Sequence, residues 1–306
     1  MPSAPTQIGG ASEARPSSFV LALALAGVLV IWSLNYIAGK ITLAHLDALS
    51  IVCFRFQISA ALLLGMYFAQ RHRTPLRRRD IWTFVYVGFL GYAVNQGCFV
   101  IGLGHTTSEH SVVIIAMGPI LILLLASAMR LEKLTTAKTL GMGISFLGVV
   151  LLETEQGSPM HSPLLLGDLI TLAGTLGFAA YTVLGKRVAA AYDTLSMNTF
   201  NAVVAAILFL PLAVHRGARL DWENVGWAGW VGLFYMAVMS GVAGFLLFYW
   251  LLRYMDASRV VVVNYFQPVI VFLLSIPILG EHPTGRLLLS AALVLAGVYL
   301  AERVSA

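Results

Sequence analysis

Ten apolar stretches, separated by short polar connections, run through this chain. A helix that crosses a bilayer needs about 20 apolar residues, and it satisfies its own backbone hydrogen bonds, as lipid requires. The sequence therefore predicts an all-α integral membrane protein with ten transmembrane helices. These helices are predicted over residues 19–39, 46–69, 81–103, 108–129, 138–153, 164–185, 195–214, 226–252, 258–278 and 285–302.

The composition excludes most soluble and enzymatic classes. Charged residues make up 11% of the chain, whereas a soluble domain carries about 25%, so they could not cover a globular surface. Cys53 and Cys98 lie in apolar stretches, which excludes a disulfide framework and a Cys/His metal site. The sequence also lacks a Gly-rich phosphate loop, a metal-ligand spacing and a nucleophile–base set. We therefore predict a protein that is not an enzyme and that uses no cofactor or metal.

The distribution of Lys and Arg residues predicts the orientation. Fourteen lie in the predicted connections on the side of the N-terminus, against Lys40, Arg216, Arg219 and Arg286 on the other side. Positive residues accumulate on the cytoplasmic side, so we predict a multi-pass protein of the inner membrane with both termini in the cytoplasm. Because membrane insertion explains the position of the basic residues, the net charge of +5 is not a sign of nucleic-acid binding, and we predict no nucleic-acid partner. Residues 1–18, rich in Ser, Pro, Ala and Gly, are predicted to be a disordered cytoplasmic tail.

The second half of the sequence repeats the first. At a spacing of 149 residues the matches are Pro119 with Pro268, Glu132 with Glu281, Thr135 with Thr284, and Gly148-Val149 with Gly297-Val298; at a spacing of 146, Gly39-Lys40 matches Gly185-Lys186. Such self-similarity indicates two copies of one structural unit, which we place at residues 19–155 and 164–303. Fortuitous similarity between apolar segments is the alternative.

Each predicted unit contains five spans, and an odd number inverts the second copy relative to the first. Inverted repeats are typical of transporters, in which two pseudo-equivalent states open to opposite sides of a site near the bilayer midplane. The repeat therefore predicts a small-molecule transporter embedded in the lipid bilayer. We expect it to act as a monomer.

Polar and aromatic residues recur at helical spacing on several predicted spans. Amides in hydrocarbon need partners and so point inward, and aromatic walls with a few polar groups are typical of ligand cavities. Ordinary helix packing and interhelical hydrogen bonding remain the alternatives for these residues. The predicted cavity lining consists of Trp32, Asn35, Tyr36, Tyr92, Gln96, Phe99, Tyr181, Phe245, Tyr249, Asn264 and Gln267.

Two prolines and four basic residues complete the predicted site. Pro119 and Pro268 lie in the middle of spans, where a proline removes one backbone hydrogen bond, so each is either a hinge or a static kink. Arg55 is the cation deepest in a predicted span; it serves either a structural role or the pairing of a substrate or gate. The further candidates for gating or charge pairing are Lys40, His110 and Lys186.

The sequence contains motifs that resemble the EamA-type repeat of the drug/metabolite transporter superfamily. In the first copy the motifs are Trp32-Ser33-x-Asn35-Tyr36, Gly39-Lys40, Gly91, Asn95-Gln96, Gly102-Leu103, Pro119 and Glu132-Lys133-Leu134-Thr135. In the second they are Tyr249, Ala257-Ser258, Gln267-Pro268, Leu279-Gly280-Glu281 and Leu295-Ala296-Gly297-Val298-Tyr299. The first copy departs at Met129-Arg130-Leu131-Glu132, which lacks the usual glycine before the glutamate.

The resemblance implies two five-helix repeats, with the third, fourth, eighth and ninth helices around a central cavity and the first and sixth helices as movable gates. It also implies the export of metabolites, commonly amino acids, including aromatic ones in the aromatic amino acid exporter (YddG-like) branch. A nucleotide-sugar or sugar-phosphate antiporter is an alternative that would need more cations in the cavity. A membrane scaffold or sensor without transport is another.

Overall fold

The computed structural model describes most of the chain as helix. The described residues are 16–71, 73–131, 134–153, 164–189, 191–255 and 257–303, without the side chains of 153, 186–189, 252–253, 257–259, 261–265 and 302–303. Ten helical elements, and no strand, lie within these ranges. They are α1 (Ser18–Leu43), α2 (Ala48–Ala69), α3 (Arg78–Leu103), α4 (Ser108–Ala128), α5 (Thr136–Glu153), α6 (Leu165–Ala189), α7 (Thr194–Gly217), α8 (Trp222–Leu251, continuing to Tyr254), α9 (Ala257–Leu279) and α10 (Gly285–Arg303).

The helices have the length and the surface of membrane spans. In the described part of the chain, α1–α4 and α6–α8 are each long and apolar enough to cross a bilayer, and α5, α9 and α10 contain the shorter apolar stretches Thr136–Leu152, Phe266–Leu279 and Gly285–Ala301. Large hydrophobic side chains face outward; Trp82 is 77% exposed and Trp227 is 83% exposed. A soluble monomer rarely exposes so much apolar surface. The chain is therefore a multi-pass membrane protein, as predicted, whereas the count of ten spans stays a prediction. The predicted tail lies largely outside the described residues.

Helices α2 and α7 begin with the same cap. Asp47 Oδ1 accepts a hydrogen bond from the backbone N–H of Ser50 at 3.1 Å, and Asp193 Oδ1 accepts one from that of Ser196 at 2.9 Å. Each serine hydroxyl also donates to its aspartate at 2.6 Å. These contacts satisfy donors that a helix start leaves free. The two caps lie 146 residues apart, at the spacing of the Gly-Lys match.

Helices α4 and α9 end in similar left-handed turns. Gly280 has φ +69° and Arg130 has φ +59°. The backbone N–H of Leu131 reaches back to the carbonyl of Ala126, as in a Schellman turn, and that of Glu281 reaches back to the carbonyl of Ser275, one residue further. The first copy thus forms this turn without the glycine that its motif lacks, and an arginine adopts the conformation that favours glycine.

Small residues let α5 and α10 pack closely. A Cβ atom at Gly141 would lie 2.4 Å from the carbonyl oxygen of Gly297, and one at Gly148 would lie 2.9 Å from that of Ser290. Ser145 Oγ donates to the carbonyl of Val294 at 3.0 Å. Contact through small residues and hydroxyls is typical of helix pairs in membranes.

The remaining helix pairs also correspond between the two halves of the chain. Helix α1 packs on α8 and α9, and helix α6 packs on α3 and α4; α2 packs on α7 and α5 on α10. When five is added to each helix number, counting past α10 back to α1, the two pairs of α1 become the two pairs of α6, and the pairs α2–α7 and α5–α10 map onto themselves. This arrangement brings α1, α2, α3, α6, α7 and α8 around the middle of the bundle.

Candidate functional site

Helices α3 and α8 each contain a π-helical segment in the middle of the bundle. The segments are Phe89–Val94 and Tyr235–Gly244. An inserted residue of this kind is rare in proteins and is frequent at functional sites. Tyr92 lies within the first segment, and Phe245 directly follows the second. The sequence pattern did not reveal these segments, although the Gly91 and Ser240-Gly241 positions lie within them.

The predicted aromatic residues form one connected cluster across α1, α3 and α8. The rings of Trp32 and Phe245 lie 5.5 Å apart, and those of Phe245 and Tyr92 also lie 5.5 Å apart. Next to them, Tyr36 and Phe99 meet edge to face at 5.2 Å. Such ring pairs contribute about 0.5–1.5 kcal/mol beyond their buried area.

Tyrosine hydroxyls give this cluster a polar side. Tyr92 donates a hydrogen bond to Asn198 Oδ1 on α7 at 2.6 Å. The hydroxyls of Tyr181 on α6 and Tyr249 on α8 share a short hydrogen bond, and both tyrosines interact electrostatically with Tyr92. Gly91 permits this packing, because a Cβ atom there would lie 2.2 Å from the Tyr181 ring. The structure thus brings Tyr92, Tyr181 and Tyr249 together between four helices.

The predicted amides occupy different places. Gln96 donates to Asn95 Oδ1 at 3.0 Å, and Asn95 donates to the carbonyl of Gly174 on α6 at 3.0 Å; this chain of bonds joins α3 to α6. Gln267 is buried on α9 and Asn35 is buried on α1. The side chain of Asn264 lies outside the described residues, as does that of Lys186.

Several buried polar atoms in the interior have no hydrogen-bond partner among the described residues. They are Oγ of Ser33 and Ser111, Oδ1 of Asn35, Nη1 of Arg55, and both amide atoms of Asn201. Native proteins leave few such groups, and each one calls for an explanation such as a water or a ligand. Here they belong to α1, α2, α4 and α7.

A network of hydrogen bonds closes one end of the bundle, which we name the Asp168 end. Asp168, at the start of α6, is 2% exposed. It accepts from Thr106 Oγ1 at 2.5 Å and lies 2.8 Å from His110 Nδ1 on α4. Lys40 of α1 donates to the carbonyl of Thr106. These contacts join α1 and α4 to α6.

The same end also ties α4 to the second half of the chain through Glu281 and Ser275. Ser108 donates to Glu281 from its backbone N–H at 3.1 Å, and from its hydroxyl at a shorter distance. Ser275 of α9 donates to Glu109 Oε1 at 2.9 Å. The sequence indicated Lys40 and His110 but not Asp168 as the partner of His110, because that pairing crosses between the two units.

The opposite end, which we name the Tyr192 end, contains an open cleft beside several polar contacts. Tyr192 donates to Asp80 Oδ2 at 2.8 Å. Burial favours the neutral form of Asp193, but hydrogen bonds from Ser196 and Thr74 outweigh this effect and lower the pKa of Asp193. A cleft of about 270 Å³ lies between α2, α7 and α8, lined by Gln70, Asp193, Thr194, Leu195, Leu246 and Trp250.

The two prolines have different local structures. Helix α4 is interrupted at Met117, and its second segment restarts at Gly118 with Pro119 in the first turn. The N–H groups of a first turn have no partner within the helix, so a proline there removes no helical hydrogen bond. Pro268 instead lies inside the continuous helix α9. A break at one position and continuity at the other make the two halves locally different; whether either proline is a hinge stays a prediction.

Comparison with known proteins identifies the type of protein to which this bundle belongs. A profile of the EamA-like transporter family matches the sequence twice, over residues 19–154 and 165–303. The chain belongs to the EamA-like transporter family. This EamA-like chain is thus a membrane transporter of the drug/metabolite transporter superfamily, and the resemblance seen in its motifs is confirmed.

Relatives of this EamA-like transporter span nearly its whole length. The uncharacterized transporter YyaM of Bacillus subtilis (strain 168) is 24% identical over 283 residues, 92% of each chain. A probable amino-acid metabolite efflux pump of Escherichia coli (strain K12) is 24% identical over 290 residues, 89% of this chain and 91% of the pump. One solved crystal structure matches with a TM-score of 0.63 at 19% identity, covering 95% of this chain and 100% of that chain. Similarity at that identity establishes a shared fold.

Proposed function

We propose that this EamA-like transporter exports amino acids, neutral and aromatic ones in particular, across the inner membrane by alternating access. In this proposal all ten helices span the bilayer as two inverted five-helix units, at residues 19–155 and 164–303. Three observations support the repeat: the matching caps of α2 and α7, the corresponding helix pairs and the double match to the family profile.

The observation that carries the mechanism is the closure of the Asp168 end. The contacts His110–Asp168, Thr106–Asp168 and Ser108–Glu281 all join the first unit to the second. A path to that end opens only if the two units separate there and these hydrogen bonds break. An end closed by reversible polar contacts between two units is the arrangement that alternating access requires.

The orientation gives this closure a direction. The positive-inside bias supports a cytoplasmic position for both termini; the Asp168 end then faces outward and the Tyr192 end faces the cytoplasm. The cleft between α2, α7 and α8 then opens toward the cytoplasm. An exported solute would enter the protein from that side. In this orientation the structure represents a state that is closed to the outside.

The substrate class is supported by the central cluster and by the relatives. Tyr92, Tyr181 and Phe245 supply aromatic surface and hydroxyl groups, which suit an amphiphilic solute. The relatives named probable amino-acid metabolite efflux pumps, in Escherichia coli and Salmonella typhimurium, point to the same class.

The test is transport by the purified protein in liposomes. Vesicles are loaded with a labelled panel of aromatic and aliphatic neutral amino acids, together with sugar phosphates, and efflux is compared with that of protein-free vesicles. We expect efflux of neutral amino acids and none of sugar phosphates. A wild-type protein that moves sugar phosphates alone, or nothing in the panel, would contradict the proposal.

A further inference from the structure

Arg55 is a buried cation without a counter-charge. The side chain is 2% exposed and lies in the first third of α2, about 10 Å from the helix start at a rise of about 1.5 Å per residue. In the described part of the chain no carboxylate forms an ion pair with it, and its Nη1 atom has no hydrogen-bond partner. Its electrostatic neighbour is the hydroxyl of Tyr92.

Such a group is expensive to keep in a membrane protein. Insertion scales give a cost of roughly 2.5–3.5 kcal/mol for an arginine at the centre of a spanning helix, which is an upper limit for Arg55, and an unpaired buried charge is far less stable than a paired one. Intramembrane ionisable residues are therefore retained where they have a function. Since Arg55 is buried among protein atoms, its charge is left for a partner that enters the bundle.

The equivalent position in the second unit is also polar and unpaired. Asn201 of α7 follows Asp193 by eight residues, as Arg55 follows Asp47. Asn201 is 0% exposed and lies beside the Tyr181 hydroxyl. Neither Oδ1 nor Nδ2 of Asn201 makes a hydrogen bond of good geometry with a described residue. The two unpaired groups therefore border the same tyrosine cluster from α2 and α7, which pack on each other.

We propose that Arg55 binds the carboxylate of the transported solute, and that Asn201 offers a second polar contact. The inference rests on the proposed function and narrows its substrate to molecules that carry a carboxylate. A guanidinium presents parallel N–H donors that match a carboxylate. Binding supplies the missing counter-charge, and the aromatic rings around Tyr92 receive the apolar part of the solute. The side-chain amide of Asn201 donates a hydrogen bond to another polar group of the solute, or accepts one from it.

The test measures binding to the full chain in detergent, with L-phenylalanine and L-phenylalaninamide as probes. The amide retains the ring and the amino group and lacks the carboxylate. We expect L-phenylalanine to bind wild type, and Arg55→Gln to weaken that binding about 10- to 100-fold, the loss of one charge-assisted hydrogen bond. Arg55→Lys should restore part of the affinity. The matched control is Arg216→Gln, which removes a partly exposed arginine bonded to Asp47 at 3.0 Å and should leave binding unchanged.

The outcomes separate this inference from the proposed function. Equal affinity of wild type for the acid and the amide, or unaltered binding of L-phenylalanine by a folded Arg55→Gln, would overturn the role of Arg55 while amino-acid export stands. If wild type instead binds and transports only 2-oxo acids or aromatic acids that lack an amino group, the carboxylate site stands and amino-acid export falls. A protein that transports no carboxylate at all overturns both.

Discussion

Replacing Arg55 by methionine should stabilise the empty transporter and abolish transport. Methionine keeps the unbranched stem and removes the charge that no described side chain neutralises. The insertion cost of a central arginine, roughly 2.5–3.5 kcal/mol, is an upper limit for the gain, because Arg55 lies nearer the start of its helix and interacts electrostatically with Tyr92. We therefore expect a stabilisation of about 1–3 kcal/mol.

The assay is thermal unfolding of purified protein in detergent, without solute. A change of 1 kcal/mol shifts the Tm of a protein of 150–250 residues by about 2–4 °C, so Arg55→Met should raise it by a few degrees. Transport of L-phenylalanine in liposomes should fall to background. A gain in stability joined to a loss of activity is the signature of a strained functional group.

A structural arginine would behave in the opposite way. Removing one partner of a buried ion pair costs about 3–5 kcal/mol, because the other charge is left unpaired. A fall in Tm of several degrees for Arg55→Met would therefore refute the reasoning, and it would assign Arg55 to holding the helices together. Arg216→Met, at the partly exposed pair with Asp47, should shift the Tm little, since such pairs contribute about 0–1 kcal/mol.

Three further substitutions test the packing and the closed end. Asp168→Asn weakens the contact with His110, so the Asp168 end should open more often. In a variant without the native cysteines, a membrane-impermeant maleimide should then modify Ser111→Cys about tenfold faster. An unchanged modification rate would show that this contact does not hold the end closed. Gly141→Ala should lower the thermal stability by about 1–3 kcal/mol, because its Cβ atom would meet α10 at 2.4 Å, whereas Gly143→Ala has nothing within 4 Å and should be neutral or stabilising; equal effects would contradict the close packing. Arg130→Gly should stabilise by about 1 kcal/mol, as it relieves a φ of +59°, and a measured loss of stability would argue against strain there.

That the chain is a multi-pass membrane protein could be predicted because apolar length is a local property of a sequence. The apolar run of α1 can be recognised without knowledge of its partners, whereas the orientation indicated by the basic cluster around Arg78 stays a prediction. The aromatic cluster was predictable for a related reason, since Tyr92 and Phe99 recur at helical spacing on one face.

The polar site could be predicted only in part, because its contacts join distant segments. Asp168 lies 58 residues from His110, and no periodicity on α4 or α6 indicates that pairing. The sequence pattern does not indicate Asn198 and Asn201 as site residues, because no aromatic pattern accompanies them on α7. The sequence nevertheless contains a signal for this pair. When the Asp-x-x-Ser caps at Asp47 and Asp193 are aligned, Asn201 takes the position in the second repeat that Arg55 takes in the first.

Counterflow in proteoliposomes tests the central claim most directly. Vesicles that hold excess unlabelled L-phenylalanine are diluted into a trace of labelled L-phenylalanine, and internal label is followed with time. A transporter that exposes one site alternately to each side should accumulate label transiently above its equilibrium level, and Arg55→Met should not. Entry of label without an overshoot would indicate an open pore, and entry no faster than in protein-free vesicles would mean that the chain does not carry this solute.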